Sequence, residues 1–201
     1  MSQPDLIVWD FGGVLNANVV NGRFVWADDM KADLGIDPVA FSETLFASGK
    51  MSRIVRGEMD LRDVVAEFLE GYGGDVSADA LIEYWFAKDA RVDPVTLDLL
   101  TRYPARHVIG TNNEARRARF IEEEMGFGGR VERVFASGRL GIAKPEPGFF
   151  EAIETWSGAA PAAILLVDDN EPNIVAAEAR GLRGFHFTAE TRGVLSIALG
   201  L

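Results

Sequence analysis

Asp10, Thr111, Lys144 and the pair Asp168-Asp169 are the residues of this chain whose types and surroundings suit chemistry. Asp10 ends the apolar run Leu6-Ile7-Val8-Trp9, and Thr111 opens Thr111-Asn112-Asn113 after the run His107 to Gly110. Asp168 and Asp169 follow Ile164 to Val167, and Lys144 lies in the loop Gly141-Ile142-Ala143-Lys144-Pro145. Ligands of open α/β sheets bind beyond the carboxyl ends of the strands. If these runs are neighbouring strands, all five groups meet at one edge. Three carboxylates there repel one another unless a cation is present, and hard oxygen donors with no Cys and no nearby His point to Mg2+. A phosphoryl group bound by that metal would meet Lys144 as counter-charge and Thr111 as hydrogen-bond donor.

Such convergence needs a particular set of elements. The runs named above, with Val131 to Ala136 and Gly184 to Phe187, are short and do not alternate, as expected of strands covered on both faces. Helical stretches lie between them at Glu114 to Met125, Pro147 to Trp156 and Pro172 to Arg180, with Gly126 and Gly181 placed to stop two of these. This alternation predicts a doubly wound α/β sheet. From about Val19 to Arg102 the pattern is helical instead: Leu61, Val64, Val65, Phe68 and Leu69 repeat at helical spacing and stop at Gly71, and helix starts stand at Asp37-Pro38, Ser77 and Asp93-Pro94. The aromatics of this insertion, Trp26, Phe41, Phe46, Phe68, Trp85 and Phe86, read as the core of a small domain.

Composition bounds the partners. With 20 Lys and Arg against 31 Asp and Glu, the net charge is −11 and a polyanion such as nucleic acid would be repelled, although a local cluster of donors can still hold a small anion. The chain has no Cys, which excludes disulfides, a thiolate nucleophile and Cys-ligated metals. The longest apolar run, Ala162 to Val167, is far below the roughly 20 residues of a membrane span, and Asp5 and Asp10 do not suit a signal peptide. A cytoplasmic protein without membrane contact is expected.

Four ordered motifs resemble those of the haloacid dehalogenase-like hydrolases: Ile7 to Leu15 around Asp10, Ile109 to Asn113 around Thr111, Lys144-Pro145 preceded by Ser137-Gly138, and Leu165 to Asn170 around Asp168-Asp169. Each alone is commonplace; their order along nearly the whole chain is specific. The resemblance implies a Rossmann-like three-layer parallel-sheet core, residues 1–17 and 103–201, with an all-helical cap, 18–102, inserted between the first two motifs. It implies Asp10 as a nucleophile forming an aspartyl-phosphate, with Thr111 and the amide of Asn112 on phosphoryl oxygens and Lys144 neutralising nucleophile and phosphate. Mg2+ would be held by Asp10, the Gly12 carbonyl and the acidic pair, with Asp169 favoured as direct ligand and Asp168 as its companion, or the reverse. Asn16 is the neighbour placed to orient substrate or water, and Asn16, Asn18, Arg23, Arg53 and Arg56 are candidates for setting specificity.

One position departs from the family. Gly12 stands where its phosphatases usually carry a second Asp, which protonates the leaving group and then activates water. Loss of such a group typically costs about 10²- to 10⁴-fold. Members resembling this Gly variant include sugar-phosphate phosphatases, so the expected activity is Mg2+-dependent hydrolysis of a small phosphorylated metabolite, sugar phosphates included. Two other readings stay open: a non-catalytic phospho-ligand binding or regulatory protein, and a haloacid dehalogenase, against which the acidic pair and the absence of Tyr at position 12 both speak.

Overall fold

The structure, a computed structural model, describes residues 3–20 and 23–200, without the side chains of Val20 and Arg23. Five strands, β1 (Leu6–Trp9), β4 (Arg106–Thr111), β5 (Arg133–Ala136), β6 (Ile164–Asp168) and β7 (Arg183–His186), form one parallel sheet in the order β5-β4-β1-β6-β7. Helices α6 (Pro94–Arg102), α7 (Ala115–Glu123), α8 (Ser137–Leu140), α9 (Pro147–Ser157), α10 (Glu171–Ala179) and α11 (Leu195–Leu199) accompany it. Ile7, Trp9, Ile109 and Val167 share one apolar layer with Leu99, Ala118, Ile121 and Leu195. Leu6, Val8, Val108 and Leu166 share the opposite layer with Phe149, Ile153 and Ile174. Apolar residues at both odd and even positions of β1 therefore serve two cores, which is why the strand runs do not alternate.

Between β1 and β4 lie the antiparallel pair β2 (Val19–Val20) and β3 (Arg23–Phe24) and the helices α1 (Met30–Leu34), α2 (Pro38–Ser42), α3 (Lys50–Ile54), α4 (Leu61–Tyr72) and α5 (Ala78–Asp89). Trp26, Met30, Phe41, Leu45, Ile54, Leu61, Val65, Leu81 and Phe86 bury one another in a third cluster. The helix starts are capped as their sequences suggest: Asp37 accepts from Val39 N, Ser77 from Ala80 N, and Asp93 from Val95 N and Thr96 N.

Three details differ from the sequence reading. The insertion is not wholly helical, because Val19 and Val20 pair with Phe24 and Arg23. Helix α4 crosses Gly71 to Tyr72, and the last turn outweighs the roughly 1 kcal/mol cost of a helical Gly through the Phe68–Tyr72 ring contact and the Tyr72 hydroxyl on Asp37 N. Helix α6, grouped by sequence with the insertion, packs on the sheet, since Leu99 and Leu100 belong to the layer of Trp9 and Ile109. Among the described residues no helix is long and apolar enough to cross a membrane.

Candidate active site

Register brings the motifs together. Trp9 lies level with Ile109 and with Val167, so Asp10 emerges between the ends of β4 and β6 beside Thr111 and Asp168. The Asp10 N–H donates to the Val167 carbonyl at 2.8 Å, which fixes the turn off the strand. Lys144, buried, reaches in from the loop before α9 and donates to Asp10 Oδ1 at 2.7 Å and to Asp168 Oδ2 at 2.6 Å. A cavity of about 230 Å³ is lined by Asp10, Gly12, Thr111, Lys144 and Asp169 together with Asn18, Asp89 and Arg117.

The two acids at the end of β6 differ. Asp168 is fully buried and its remaining oxygen, Oδ1, accepts from Asn170 N and from Asn173 Nδ2, each at 2.9 Å. Asp169 is exposed, and one oxygen of each of Asp10, Asp168 and Asp169 lies within 4.8 Å of the others. Gly13 makes room for it: its φ is +75°, and a Cβ there would run into the Asp169 carboxylate.

One lysine thus faces three carboxylates, and the charges do not balance. Burial pushes the Asp10 carboxyl up to about 7 against the pull of Lys144, and Asp168 and Asp169 add to the rise. Partial loss of hydration, then the charge of Asp168, raises Asp169. Burial pushes Lys144 down, but Asp10 and Asp168 outweigh it and the net shift is upward, so the ammonium stays charged. A carboxyl whose pKa is raised on folding binds its proton preferentially in the folded state, so its stabilisation is lost as pH rises through the folded value. Metal-free protein is therefore expected to lose stability between pH about 4 and about 7, less so in Asp10→Asn and less so with saturating Mg2+. Urea melts in chelator across that window measure it; equal slopes in parent and Asp10→Asn would contradict the assignment.

The remaining candidates separate. The Asn112 carboxamide is committed to the Lys144 loop, donating to Lys144 O and accepting from Lys144 N, both at 2.8 Å. Asn113 Nδ2 donates to Thr111 Oγ1 at 2.7 Å, which leaves the Thr111 hydroxyl proton available to donate elsewhere. Asn16 does not join the site: it is wholly buried, its Nδ2 donates to the Asp89 carbonyl and its Oδ1 accepts from Arg91 N. It ties the end of the first motif to the chain returning from the insertion, so its polar atoms are spent there. Asn18 takes the place near the cavity instead, accepting from Gly13 N and donating to Asp89 Oδ1 at 2.8 Å. Arg53 pairs with Glu58 on the surface, Arg56 with Glu146 of the core, and the Arg23 side chain lies outside the described residues. His107, at the far end of β4, is structural, accepting from Trp9 Nε1 at 3.1 Å.

Asp89 and Arg117 line the cavity without having been singled out by sequence. The Arg117 guanidinium is buried, pairs with Asp89 at 2.5 Å and donates to the Phe86 carbonyl at 3.0 Å. The available signal was Arg117 beside Ala118 and three residues before Phe120-Ile121, on the face of α7 that must turn inward.

Comparison with known proteins agrees with this geometry. The family model described as haloacid dehalogenase-like hydrolase matches residues 4–181. The fold is similar to a HAD family enzyme, bt-2542 of Bacteroides thetaiotaomicron, solved in complex with magnesium and inorganic phosphate: TM-score 0.75, 21% identity, 92% of this chain and 95% of that chain covered. It is also similar to a predicted HAD-like hydrolase of Porphyromonas gingivalis, with TM-score 0.76, 18% identity and 98% of each chain covered. An L-2-haloacid dehalogenase of Xanthobacter autotrophicus is similar at TM-score 0.63 and 18% identity, with 94% of this chain and 80% of that chain covered. No curated protein matches the chain in sequence. A family match over most of the length, on a sheet whose strand ends gather Asp10, Thr111, Lys144 and the acidic pair, leads to one conclusion: the chain belongs to the haloacid dehalogenase-like hydrolases.

Proposed function

We propose that this hydrolase is a Mg2+-dependent phosphatase of a small phosphate monoester, working through an aspartyl-phosphate on Asp10. The observation that carries the reading is the charge imbalance: three carboxylates within 4.8 Å share one ammonium, so the site has room and need for a further cation. The donors are all oxygens, which fits Mg2+. Asp10, Asp169 and the Gly12 carbonyl would hold it, while Asp168, both of whose oxygens already accept hydrogen bonds, steadies Lys144. The bound ion supplies positive charge against the phosphoryl oxygens. That a structure of similar fold holds magnesium and inorganic phosphate is consistent with this assignment.

The Asp10 carboxylate attacks phosphorus, and its bond to phosphorus forms as the ester P–O bond breaks. Lys144, the Thr111 hydroxyl and the main-chain N–H of Asn112 hold the phosphoryl oxygens. The departing oxygen takes its proton from water, because Gly12 offers no side chain. Water then attacks phosphorus of the aspartyl-phosphate, which restores the carboxylate and releases inorganic phosphate. Residues 18 up to the end of α5 act as the cap over this site. The partner is a small molecule, and the setting the cytoplasm. A panel of phosphorylated metabolites with and without Mg2+ tests the reading: Mg2+-dependent phosphate release is expected, whereas halide release from a 2-haloacid in chelator would overturn it in favour of dehalogenation.

Gly12 yields a further expectation. Its backbone is outside the left-handed region, and an added Cβ would meet only Asn18 Oδ1, at 3.9 Å, so the backbone there accepts a side chain. Without a proton donor the parent should hydrolyse esters of acidic alcohols best. Gly12→Asp should raise kcat/KM for poor leaving groups by about 10²-fold or more and flatten the plot of log kcat/KM against leaving-group pKa. A flat parent plot with chemistry rate-limiting would mean that another group supplies the proton.

A further inference from the structure

The cavity at the strand ends adjoins a second one, of about 170 Å³, beneath the inserted segment; Asn18, Phe24 and Asn112 are among the residues that line both. The apolar part of the second cavity's wall includes the rings of Phe24, Trp26, Phe46, Trp85 and Phe86, and the part shared with the first cavity is, Phe24 apart, polar. Two of these rings have no core role that accounts for them. Trp26 and Phe86 are 4% exposed, but Phe24 is 50% and Phe46 38% exposed, and these two stack at 6.4 Å with planes only 16° apart. Single surface apolar residues need no explanation, whereas adjacent large rings beside a reactive site do.

The polar side chains at the junction are already engaged with one another. Asn18 donates to Asp89, Arg117 pairs with Asp89, Asn112 clamps the Lys144 loop, and Asn113 donates to Thr111. Glu114 caps α7 through Arg116 N and Arg117 N. A leaving group rich in hydroxyls would lose hydration against the ring-lined part of this wall and gain little there in return. A second phosphate or a carboxylate fares worse, since Arg117 is the sole cation among the described residues of this wall and is neutralised by Asp89. An apolar ring needs no partner, and a cavity of about 150 Å³ holds one benzene-sized ring.

We infer that the substrate is a phosphate monoester whose ester oxygen carries a single apolar ring, aryl or arylalkyl, seated in the second cavity against the wall formed by Phe24, Phe46 and Trp85. This inference rests on the phosphatase reading and deepens it. Benzyl and ethyl phosphate both release alkyl alcohols, so their comparison isolates recognition of the ring from acidity of the leaving group. In Mg2+, kcat/KM for benzyl phosphate should exceed that for ethyl phosphate and for a hexose 6-phosphate by about 10- to 100-fold, the value of burying one ring. Phenylphosphonate should bind more tightly than methylphosphonate by a similar factor, read by calorimetry without turnover. Phe46→Ala and Phe24→Ala, at exposed positions and checked for folding by circular dichroism, should each bring the phenyl-to-methyl ratio towards one. Binding of both phosphonates within twofold of each other, a ratio unmoved by both substitutions, or preference for the hexose phosphate would overturn the inference and leave the phosphatase reading standing. Failure of either phosphonate to bind, with no ester turned over, would overturn both.

Discussion

Asp10→Asn should lower turnover of every phosphate ester by about 10⁴-fold or more, because it keeps the shape of the side chain and removes the nucleophile. The protein should still fold. Asparagine places a neutral group where burial and two further carboxylates already hold the acid's pKa up to about 7, so the metal-free variant is expected to be at least as stable as the parent at neutral pH. Loss of activity together with retained or increased stability separates a chemical role from a structural one. The measurement is steady-state kinetics beside a urea melt on the same preparation. Residual activity within tenfold of the parent would remove Asp10 from the reaction.

Lys144→Met should damage both properties. Among the described residues the ammonium is the one buried cation bonded to Asp10 and Asp168, at 2.7 and 2.6 Å, and Met keeps much of its volume without its charge. Leaving buried carboxylates without a partner costs about 3 to 5 kcal/mol in stability. Removing a charged donor from the developing phosphoryl charge costs a further 10²- to 10³-fold or so in kcat. The stability loss should shrink as pH falls, because protonation of the acids discharges the repulsion, and it should shrink on adding Mg2+. A loss that is independent of pH and metal would show that Lys144 matters by packing alone.

The site was legible in the sequence wherever a functional side chain sits at the end of an apolar run. Asp10, Thr111 and Asp168 all do, and a parallel sheet with β1 between β4 and β6 places them side by side without further information. Lys144 was readable from its motif but not from periodicity, since a loop fixes it through the Asn112 carboxamide. What the sequence concealed depends on contacts between distant segments. Asn16 lies six residues after Asp10 and looked available, yet it is bound to Asp89 and Arg91, where the chain returns from the insertion. Asp89 and Arg117 come from α5 and α7 and meet only when the insertion packs on the core. The aromatics of the insertion illustrate the same limit: Trp26, Phe41 and Phe86 are buried in the core as their composition suggests, but Phe46 stays largely outside it and exposed, a distinction that spacing along a helix cannot make. Helix α6 likewise carries an apolar face, and nothing in that face says which of two neighbouring cores it joins.

The central claim is that phosphoryl transfer passes through Asp10. Its most direct test is rapid-quench trapping with a radiolabelled phosphate ester in Mg2+. Without a side chain at position 12 to activate water, the covalent intermediate should accumulate during turnover. The account predicts acid-stable, hydroxylamine-labile label on the peptide that contains Asp10, up to one phosphoryl group per chain, and none in Asp10→Asn. Turnover that proceeds with no protein-bound label at any time, or label on a different residue, would contradict it.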